Sequence, residues 1–236
     1  EHYGITDGPL ASWWKSMLLS VEGDDHLRLR RLSNPAFSPK TIEPMAPFFE
    51  SLANELIDNF QSRGECEFMS EFAEPFSARV ITGILGLDES LWPKVADLAT
   101  KLGYVFSVTI KEDLEMIEEG LLGILDLAQD LIDSREGSDR DDFIGTLLKA
   151  DVDGVKITQE ELLSLISLLI FAGFDTTRNQ IGLGMQTFSE HPDQWQLLAQ
   201  KPELARIAVE EVMRVNPTIT WVSREASVDI EHKGLT

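Results

Sequence analysis

Residues 162–177 read LLSLISLLIFAGFDTT, an apolar helical run that ends in a glycine, an acid and two threonines. Thr158 and Glu161 precede the run with the spacing of a capping box, which predicts that a helix begins there. Inside a helix, glycine costs about 1 kcal/mol relative to alanine, an unpaired carboxylate is expensive to bury, and threonine competes for backbone hydrogen bonds. Because the best helix of the chain breaks these rules in one place, that place is predicted to be a functional site.

Two interpretations of this stretch remain open from the residues alone. Gly173 would let a flat or bulky group lie against the helix, and Thr176 could bond to a carbonyl one turn earlier and open a gap for a ligand or a water. Asp175 beside Thr176 would then be an acid–alcohol pair that delivers protons to a dry site. In the simpler alternative, the glycine is a packing contact, the threonine is satisfied locally and the acid is solvated.

Composition limits the class of protein. The chain has 236 residues, enough for one sizeable core or two small ones, and its net charge of −21 argues against nucleic acid as a partner. No apolar run reaches the roughly 18 residues of a membrane-spanning helix, so we expect no membrane partner and a cytoplasmic location. The single cysteine, Cys66, provides neither a disulfide framework nor zinc-finger spacing. The N-terminus carries no signal-peptide pattern and reads as the interior of a longer protein.

Almost the whole pattern is helical. Prolines and glycines separate predicted helices near residues 25–33, 40–62, 75–86, 89–104, 112–135, 141–149, 158–189, 191–199 and 203–215. Residues 151–155, DVDGV, predict a turn or short hairpin, and the β-branched segments 218–223 and 227–230 predict extended chain. The expected fold class is therefore mainly α, with a small β segment at the C-terminal end.

Two further pairs of residues have helical spacing. Glu211 and Arg214 are three apart and can pair on one helix face, although an exposed pair of this kind contributes well under ~1 kcal/mol. Arg224 follows them, at the end of an apolar extended segment. His26 and Arg30 are four apart, and two donors on one face suit an anionic group such as a carboxylate. A basic surface helix is the alternative interpretation of the second pair.

These elements together resemble the cytochrome P450 family of haem monooxygenases, most closely its soluble bacterial members. Residues 23–39, GDDHLRLRRLSNPAFSP, are similar to the family's C helix and the turn after it. Residues 172–177 resemble the oxygen-binding part of the I helix, and residues 211–214, EVMR, resemble the Glu-x-x-Arg of the K helix. The resemblance covers about residues 10–236 and implies one incomplete P450 domain with a helical core.

The resemblance also implies a role for each matching residue. The catalytic pair would be Asp175 and Thr176. The residues that bind the haem cofactor, through its propionates, its distal face or the bound dioxygen, would be His26, Arg30, Arg224, Ala172, Gly173 and Thr176. The residues that face substrate would be Phe174, Thr177, Ile219, Thr220 and Val222. The residues with a structural role, locking the K helix to a downstream loop, would be Glu211 and Arg214.

The implied activity is haem-dependent activation of O2 and hydroxylation of a small apolar substrate. Electrons would come from a redox partner, and a ferredoxin-type protein is expected. Arg28 and Arg31 would lie near the surface where such an acidic partner docks by charge complementarity.

The chain departs from the family at the iron ligand. The family's cysteine thiolate lies in a loop after the K helix, whereas Cys66 lies far upstream, so no residue of this chain is assigned as a metal ligand. We expect the chain to be an internal fragment that is inactive alone and binds no haem through a thiolate. A helical ligand- or partner-binding protein without chemistry, retaining the middle of the fold, is the alternative from another class.

Overall fold

The structure is a computed structural model that describes residues 4–135, 137, 142–152, 154–222, 226 and 228–234. Its α-helices are α1 (Gly8–Ser16), α2 (Gly23–Ser33), α3 (Pro39–Ile42), α4 (Ala46–Gln61), α5 (Glu74–Leu85), α6 (Trp92–Gly103), α7 (Leu114–Asp133), α8 (Phe143–Lys149), α9 (Gln159–Glu190), α10 (Pro192–Gln200) and α11 (Ala205–Val215). Short 3-10 or π turns lie at Asn34–Phe37, Glu43–Met45, Met69–Ala73, Glu89–Leu91, Tyr104–Phe106 and Pro202–Leu204. The mainly helical fold is confirmed.

One two-stranded sheet accompanies the helices. Strands β1 (Asp151–Val152) and β2 (Val155–Lys156) pair antiparallel, with Asp151 opposite Lys156. The sheet lies where the sequence predicted a turn or hairpin. At the C-terminal end, by contrast, the described residues beyond α11 form no strand, since an extended segment becomes a strand only when another segment pairs with it.

Helix boundaries differ from the predicted ones at two places. The helix α1 was missed, although Pro9 stands in its first turn and Leu10 and Trp13 are buried. The single helix predicted over 40–62 is divided into α3 and α4 by a 3-10 turn that contains Pro44. Proline lacks the amide hydrogen and its ring clashes with the preceding turn, so it interrupts the α-helical bonding.

The capping box at the start of α9 is confirmed. The Thr158 backbone N–H donates to Oε2 of Glu161 at 2.9 Å, and the Glu161 N–H donates to the Thr158 hydroxyl at 3.2 Å. These two bonds satisfy N–H groups that have no partner inside the helix. They therefore fix where this 32-residue helix begins.

The chain divides into two compact units, Glu1–Asn179 and Gln180–Thr236. In the first unit, α5, α6, α7 and the first part of α9 contribute the largest share of the buried apolar core. Helices α6 and α7 approach closely at Gly120, where a Cβ atom would lie 2.8 Å from the Leu98 carbonyl oxygen. The prediction of one domain over residues 1–236 stays a prediction.

The second unit contains the last turns of α9 together with α10 and α11. Val212 of α11 is buried and packs 3.5 Å from the position that a Cβ at Gly184 would take. A largely apolar pocket of about 490 Å3 lies among these helices, bordered by residues such as Phe188, Leu197 and Ile207.

None of the helices in the described part of the chain is long and apolar enough to cross a membrane.

Candidate functional site

The centre of α9 opens at one small residue. From Leu162 to Phe174, a range that the structure describes completely, Ala172 alone is exposed, and the residue before it, Phe171, is buried. Because alanine carries only a Cβ atom, the helix surface is accessible at this point. The sequence-predicted site thus coincides with an opening in an otherwise buried helix.

The two predicted catalytic residues each have a defined partner. The Thr176 hydroxyl donates to the Ala172 carbonyl oxygen at 2.6 Å, which confirms the predicted bond to the preceding turn. The Asp175 carboxylate accepts from Arg178 Nη2 at 2.6 Å and from Asn179 Nδ2 at 3.1 Å. The acid is therefore held by neighbours on its own helix rather than solvated freely.

Arg178 and Asn179 were missed by the sequence analysis. They stand three and four residues after Asp175, so their helical spacing was the signal that could have found them. Arg178 also donates from Nη1 to Glu74 of α5 at 3.3 Å and to the Thr100 hydroxyl of α6 at 3.5 Å. One guanidinium group therefore links α9 with two other helices beside the predicted acid.

Phe174 does not lie where the resemblance placed it. Its ring is fully buried, and the guanidinium carbon of Arg178 lies 5.0 Å from the ring centroid. Two residues correspond to about 200° of rotation around a helix, so Phe174 and the exposed Ala172 point in nearly opposite directions. The expectation that Phe174 faces an open substrate space does not match this placement.

Gly173 provides close packing between helices. A Cβ atom there would lie 2.8 Å from Cδ1 of Ile81 in α5, so the isoleucine occupies the space that was predicted for a flat ligand. On this side of α9, Gly173 and Thr177 border an apolar cavity of about 200 Å3, together with Ile81 and Phe143. The simpler interpretation of the glycine, a packing contact, is the one that the structure shows here.

An aromatic cluster that the sequence analysis missed lies next to Ala172. The Phe171 ring is 5.9 Å from the ring of Phe106 and 6.0 Å from that of Trp13. The Trp13 indole N–H donates to the hydroxyl of Ser167 at 2.9 Å. Phe106 itself remains largely exposed. Apolar rings therefore stand beside the opening, whereas the acid Asp175 lies one turn further along the helix.

The basic residues of α2 lie in different surroundings. His26 has Nδ1 3.1 Å from the Leu18 carbonyl oxygen and is half-buried, while Arg30 is exposed. Arg28 instead forms a two-pronged bond with the Glu161 carboxylate at the start of α9. This hydrogen-bonded ion pair lowers the pKa of Glu161 and raises that of Arg28.

The expectation of a docking surface at Arg28 is thus corrected. Its guanidinium is bound to Glu161, so it is not a free surface cation. Arg31 is exposed as expected. Arg224, the third predicted propionate ligand, lies outside the described residues, so its convergence with His26 and Arg30 stays a prediction.

In the second unit, the pairing of Glu211 with Arg214 is confirmed. Arg214 donates from Nε and Nη2 to the two carboxylate oxygens of Glu211, at 2.8 and 2.7 Å. These bonds lower the pKa of Glu211. Both residues are exposed, as are Ile219, Thr220 and Val222. The structural role of the pair and the substrate contacts of the other three residues stay predictions.

Known proteins resemble this chain in sequence and in fold. No protein-family profile matches the chain. It is 33% identical over 98% of its length to luteothin monooxygenase of Streptomyces thioluteus, and 32% identical over 92% to the polyketide biosynthesis cytochrome P450 PksS of Bacillus subtilis. The solved structure of P450BioI, in complex with an acyl carrier protein ligated to hexadec-9Z-enoic acid, covers 96% of this chain with a TM-score of 0.87 and 31% identity. The chain belongs to the cytochrome P450 family.

The chain spans little more than half the length of the P450s it matches. It covers 57% of luteothin monooxygenase, 53% of PksS and 58% of the P450BioI chain. The recognition of a P450 from residues 23–39, 172–177 and 211–214 is therefore confirmed, and it applies to this portion of a P450 fold.

The residues of this P450 chain fit the haem that its family implies. The ten residues before Ala172 are buried or partly buried, whereas Ala172 itself is exposed. A flat group therefore has room against the helix backbone at this residue. The exposed guanidinium of Arg30 and the half-buried imidazole of His26 are donors of the kind that bind carboxylates. Cys66 is a half-buried free thiol, and the part of the chain that the structure describes holds no group of three His, Cys, Asp or Glu side chains arranged for a metal ion.

Proposed function

We propose that this chain serves in a haem-thiolate monooxygenase that hydroxylates a small apolar substrate with O2. The observation that carries the proposal is the opening at Ala172, with the Thr176 hydroxyl bonded beside it and Asp175 on the same stretch of helix. The names of the relatives support this reaction class, since one is a monooxygenase and another a cytochrome P450 of polyketide biosynthesis. The acyl group carried in the P450BioI complex supports an apolar substrate.

The haem would supply the activation of O2, and the residues of this chain would control access and protons. Ala172 leaves room above the helix, and the stacked rings of Phe106 and Phe171 would give the adjoining space an apolar wall. Asp175 would pass protons on through its carboxylate, and the Thr176 hydroxyl would move them towards the opening. His26 and Arg30, with Arg224 as a third donor, would bind the haem carboxylates.

The proposal includes a redox partner of the ferredoxin type and a cytoplasmic location. Arg31 is an exposed cation on a chain with net charge −21. A local positive charge on an acidic protein would direct an acidic partner to one face, while the rest of the surface repels it. Arg28 takes no part in this contact, because Glu161 already binds its guanidinium.

The test uses the protein expressed from its complete gene. We expect reduction under carbon monoxide to give the thiolate-type Soret band, and apolar compounds to be hydroxylated with an electron-transfer protein present. If the purified protein, supplied with haem, shows neither the band nor any oxygenated product, the proposal is wrong and the non-catalytic binding protein is the better description.

The two catalytic residues give a sharper version of this test. In the same protein, Thr176→Ala should lower the product formed per reducing equivalent, because the hydroxyl no longer moves protons. Asp175→Asn should slow turnover more than it weakens substrate binding. Unchanged coupling in both variants would contradict the assigned roles even if the protein is a monooxygenase.

A further inference from the structure

Arg178 is the most connected charged residue beside the predicted site. Its two terminal nitrogens reach Asp175 at 2.6 Å, Glu74 at 3.3 Å and Thr100 at 3.5 Å. Its guanidinium also lies over the face of the buried Phe174 ring, 5.0 Å from the centroid. The position of this side chain is therefore determined from three helices and an aromatic ring at once.

We infer that Arg178 is a positioning residue that fixes the direction in which the Asp175 carboxylate points. This inference rests on the proposed function, in which Asp175 relays protons. Arg178 engages one oxygen of Asp175 and Asn179 engages the other. With both oxygens bonded, the carboxylate has one defined orientation, and any move towards Thr176 requires one of the two bonds to open.

Charge gives the arginine a second effect. Glu74 and Asp175 are both hydrogen-bonded to the same guanidinium, and both are partly shielded from water. Without the cation, two carboxylates would share this region, and their repulsion would drive Asp175 to a different rotamer. The arginine thus holds the Asp175 side chain in place next to the opening.

The connection extends beyond α9. Thr100 belongs to the last turn of α6, and the 3-10 turn that follows carries Phe106, whose ring stacks on Phe171. Arg178 therefore ties the orientation of Asp175 to the packing of the helix that leads into the aromatic cluster. Only a planar fork with several donors can bind all three partners, so lysine is expected to replace arginine incompletely.

The chain offers a matched control for this arginine. Arg79 of α5 bonds to Glu55, at 2.8 and 3.0 Å, and to Glu89, as Arg178 bonds to Asp175 and Glu74. The side chains of Arg79 and Arg178 are 13% and 18% exposed, and each has a buried Nε atom with no hydrogen-bond partner among the described residues. The bonds of Arg79 to Glu55 and Glu89 do not involve α9.

The experiment compares Arg178→Met, Arg178→Lys and Arg79→Met in the protein expressed from its complete gene. Arg178→Met should slow turnover by at least about tenfold and lower the product formed per reducing equivalent, because a positioned acid contributes roughly 10²–10⁴-fold to the rate. Substrate affinity should stay near that of the wild type. Arg178→Lys should recover part of the coupling. Arg79→Met should leave coupling unchanged, even if it lowers the melting temperature as much as Arg178→Met does.

A second readout does not depend on turnover. Hydrogen–deuterium exchange of the backbone amides at residues 172–179 should be faster in Arg178→Met and unchanged in Arg79→Met. If Arg178→Met and Arg79→Met give the same coupling and the same exchange in this segment, the arginine only stabilises the fold and the inference is wrong. If the wild-type protein lacks the thiolate-type band, the proposed function fails, whereas the exchange comparison still decides whether Arg178 orders the Asp175 segment.

Discussion

Two acid–arginine pairs with the same helical spacing differ in their burial and in their further partners. Asp175–Arg178 in α9 and Glu211–Arg214 in α11 are both separated by three residues and both form hydrogen bonds of 2.6–2.8 Å. The first pair has side chains 28% and 18% exposed, and its arginine also binds Glu74. The second pair is 58% and 68% exposed. Spacing therefore predicts that a pair forms, whereas its surroundings determine what the pair contributes.

The physical reason is the dielectric environment. An exposed ion pair exchanges good hydration for a weak, screened attraction. A partly buried pair has already lost hydration, so removing one partner leaves a charge that nothing compensates. The comparison between the two pairs can be tested by changing one residue of each and measuring stability.

The largest effect should come from Arg178. We expect Arg178→Met to lower the free energy of unfolding by about 2 kcal/mol, less than for a fully buried pair because the side chains keep some contact with water. Asp175→Asn in the same chain should remove part of that loss, because one of the two uncompensated carboxylates is then gone. The measurement is a urea-denaturation double-mutant cycle, and additive losses would show that the pair does not interact.

A pair between two helices should have an intermediate effect. Arg28→Ala removes the two-pronged bond to Glu161 and should lower the free energy of unfolding by about 1–2 kcal/mol at pH 7, as for other hydrogen bonds to charged groups. Because the folded-state pKa of Glu161 is lowered, this contribution is complete above the unfolded-state value of about 4.3. It is lost as pH falls through the lower folded-state pKa.

The difference in stability between wild type and Arg28→Ala should therefore shrink as denaturation is repeated from pH 7 to pH values below the folded-state pKa of Glu161, where this glutamate is protonated in either state. Lys101 provides a control variant, since it pairs with Asp97 and Glu119 at the surface rather than with the start of α9. A difference that stays constant over the whole pH range would contradict an ionised Glu161 as the partner of Arg28.

The capping residue of α9 should have a smaller effect. Thr158→Ala should lower the free energy of unfolding by about 1 kcal/mol, because the Glu161 amide loses its acceptor. Thr158→Ser keeps the hydroxyl and should retain most of the stability. Equal losses in the two variants would mean that the threonine methyl group, and not the hydroxyl, stabilises the helix start.

The smallest effect should come from the exposed pair. Arg214→Ala in the 236-residue chain should leave the denaturation midpoint unchanged within error, because both side chains are surrounded by water. The matched comparison repeats the substitution in the protein expressed from its complete gene. A marked loss of stability in the chain itself would break the contrast with Asp175–Arg178 and would point to a further partner of this pair.

The sequence predicted the structure best where the interacting residues are close together in the chain. The capping box at Thr158, the bond from Thr176 to the preceding turn and the pairing of Glu211 with Arg214 each depend on residues within four positions, and each was predicted correctly. The helical class follows for the same reason, since amphipathic periodicity and breakers are local signals. The motifs in the order of a known family then identified the P450 portion.

Contacts between distant residues could not be predicted in this way. Gly173 looked like room for a ligand, but Ile81, more than ninety positions earlier, fills that space. Arg28 was expected near the surface where an acidic partner docks, but Glu161 binds it across 133 positions. Phe174 was assigned to substrate from the family resemblance, although helix rotation places its ring in the core. Each error comes from reading a position without the element that packs on it.

At the buried positions of α9, the size of a side chain affects the packing of the core, whereas at the opening at Ala172 it does not. A larger side chain at any of the buried positions around it would disturb the core, since interiors are packed as densely as organic crystals. At position 172 the side chain meets open space instead of a neighbouring helix. Under the proposed function, the size and shape of what fits against α9 would therefore change with the residue at position 172, with little effect on folding.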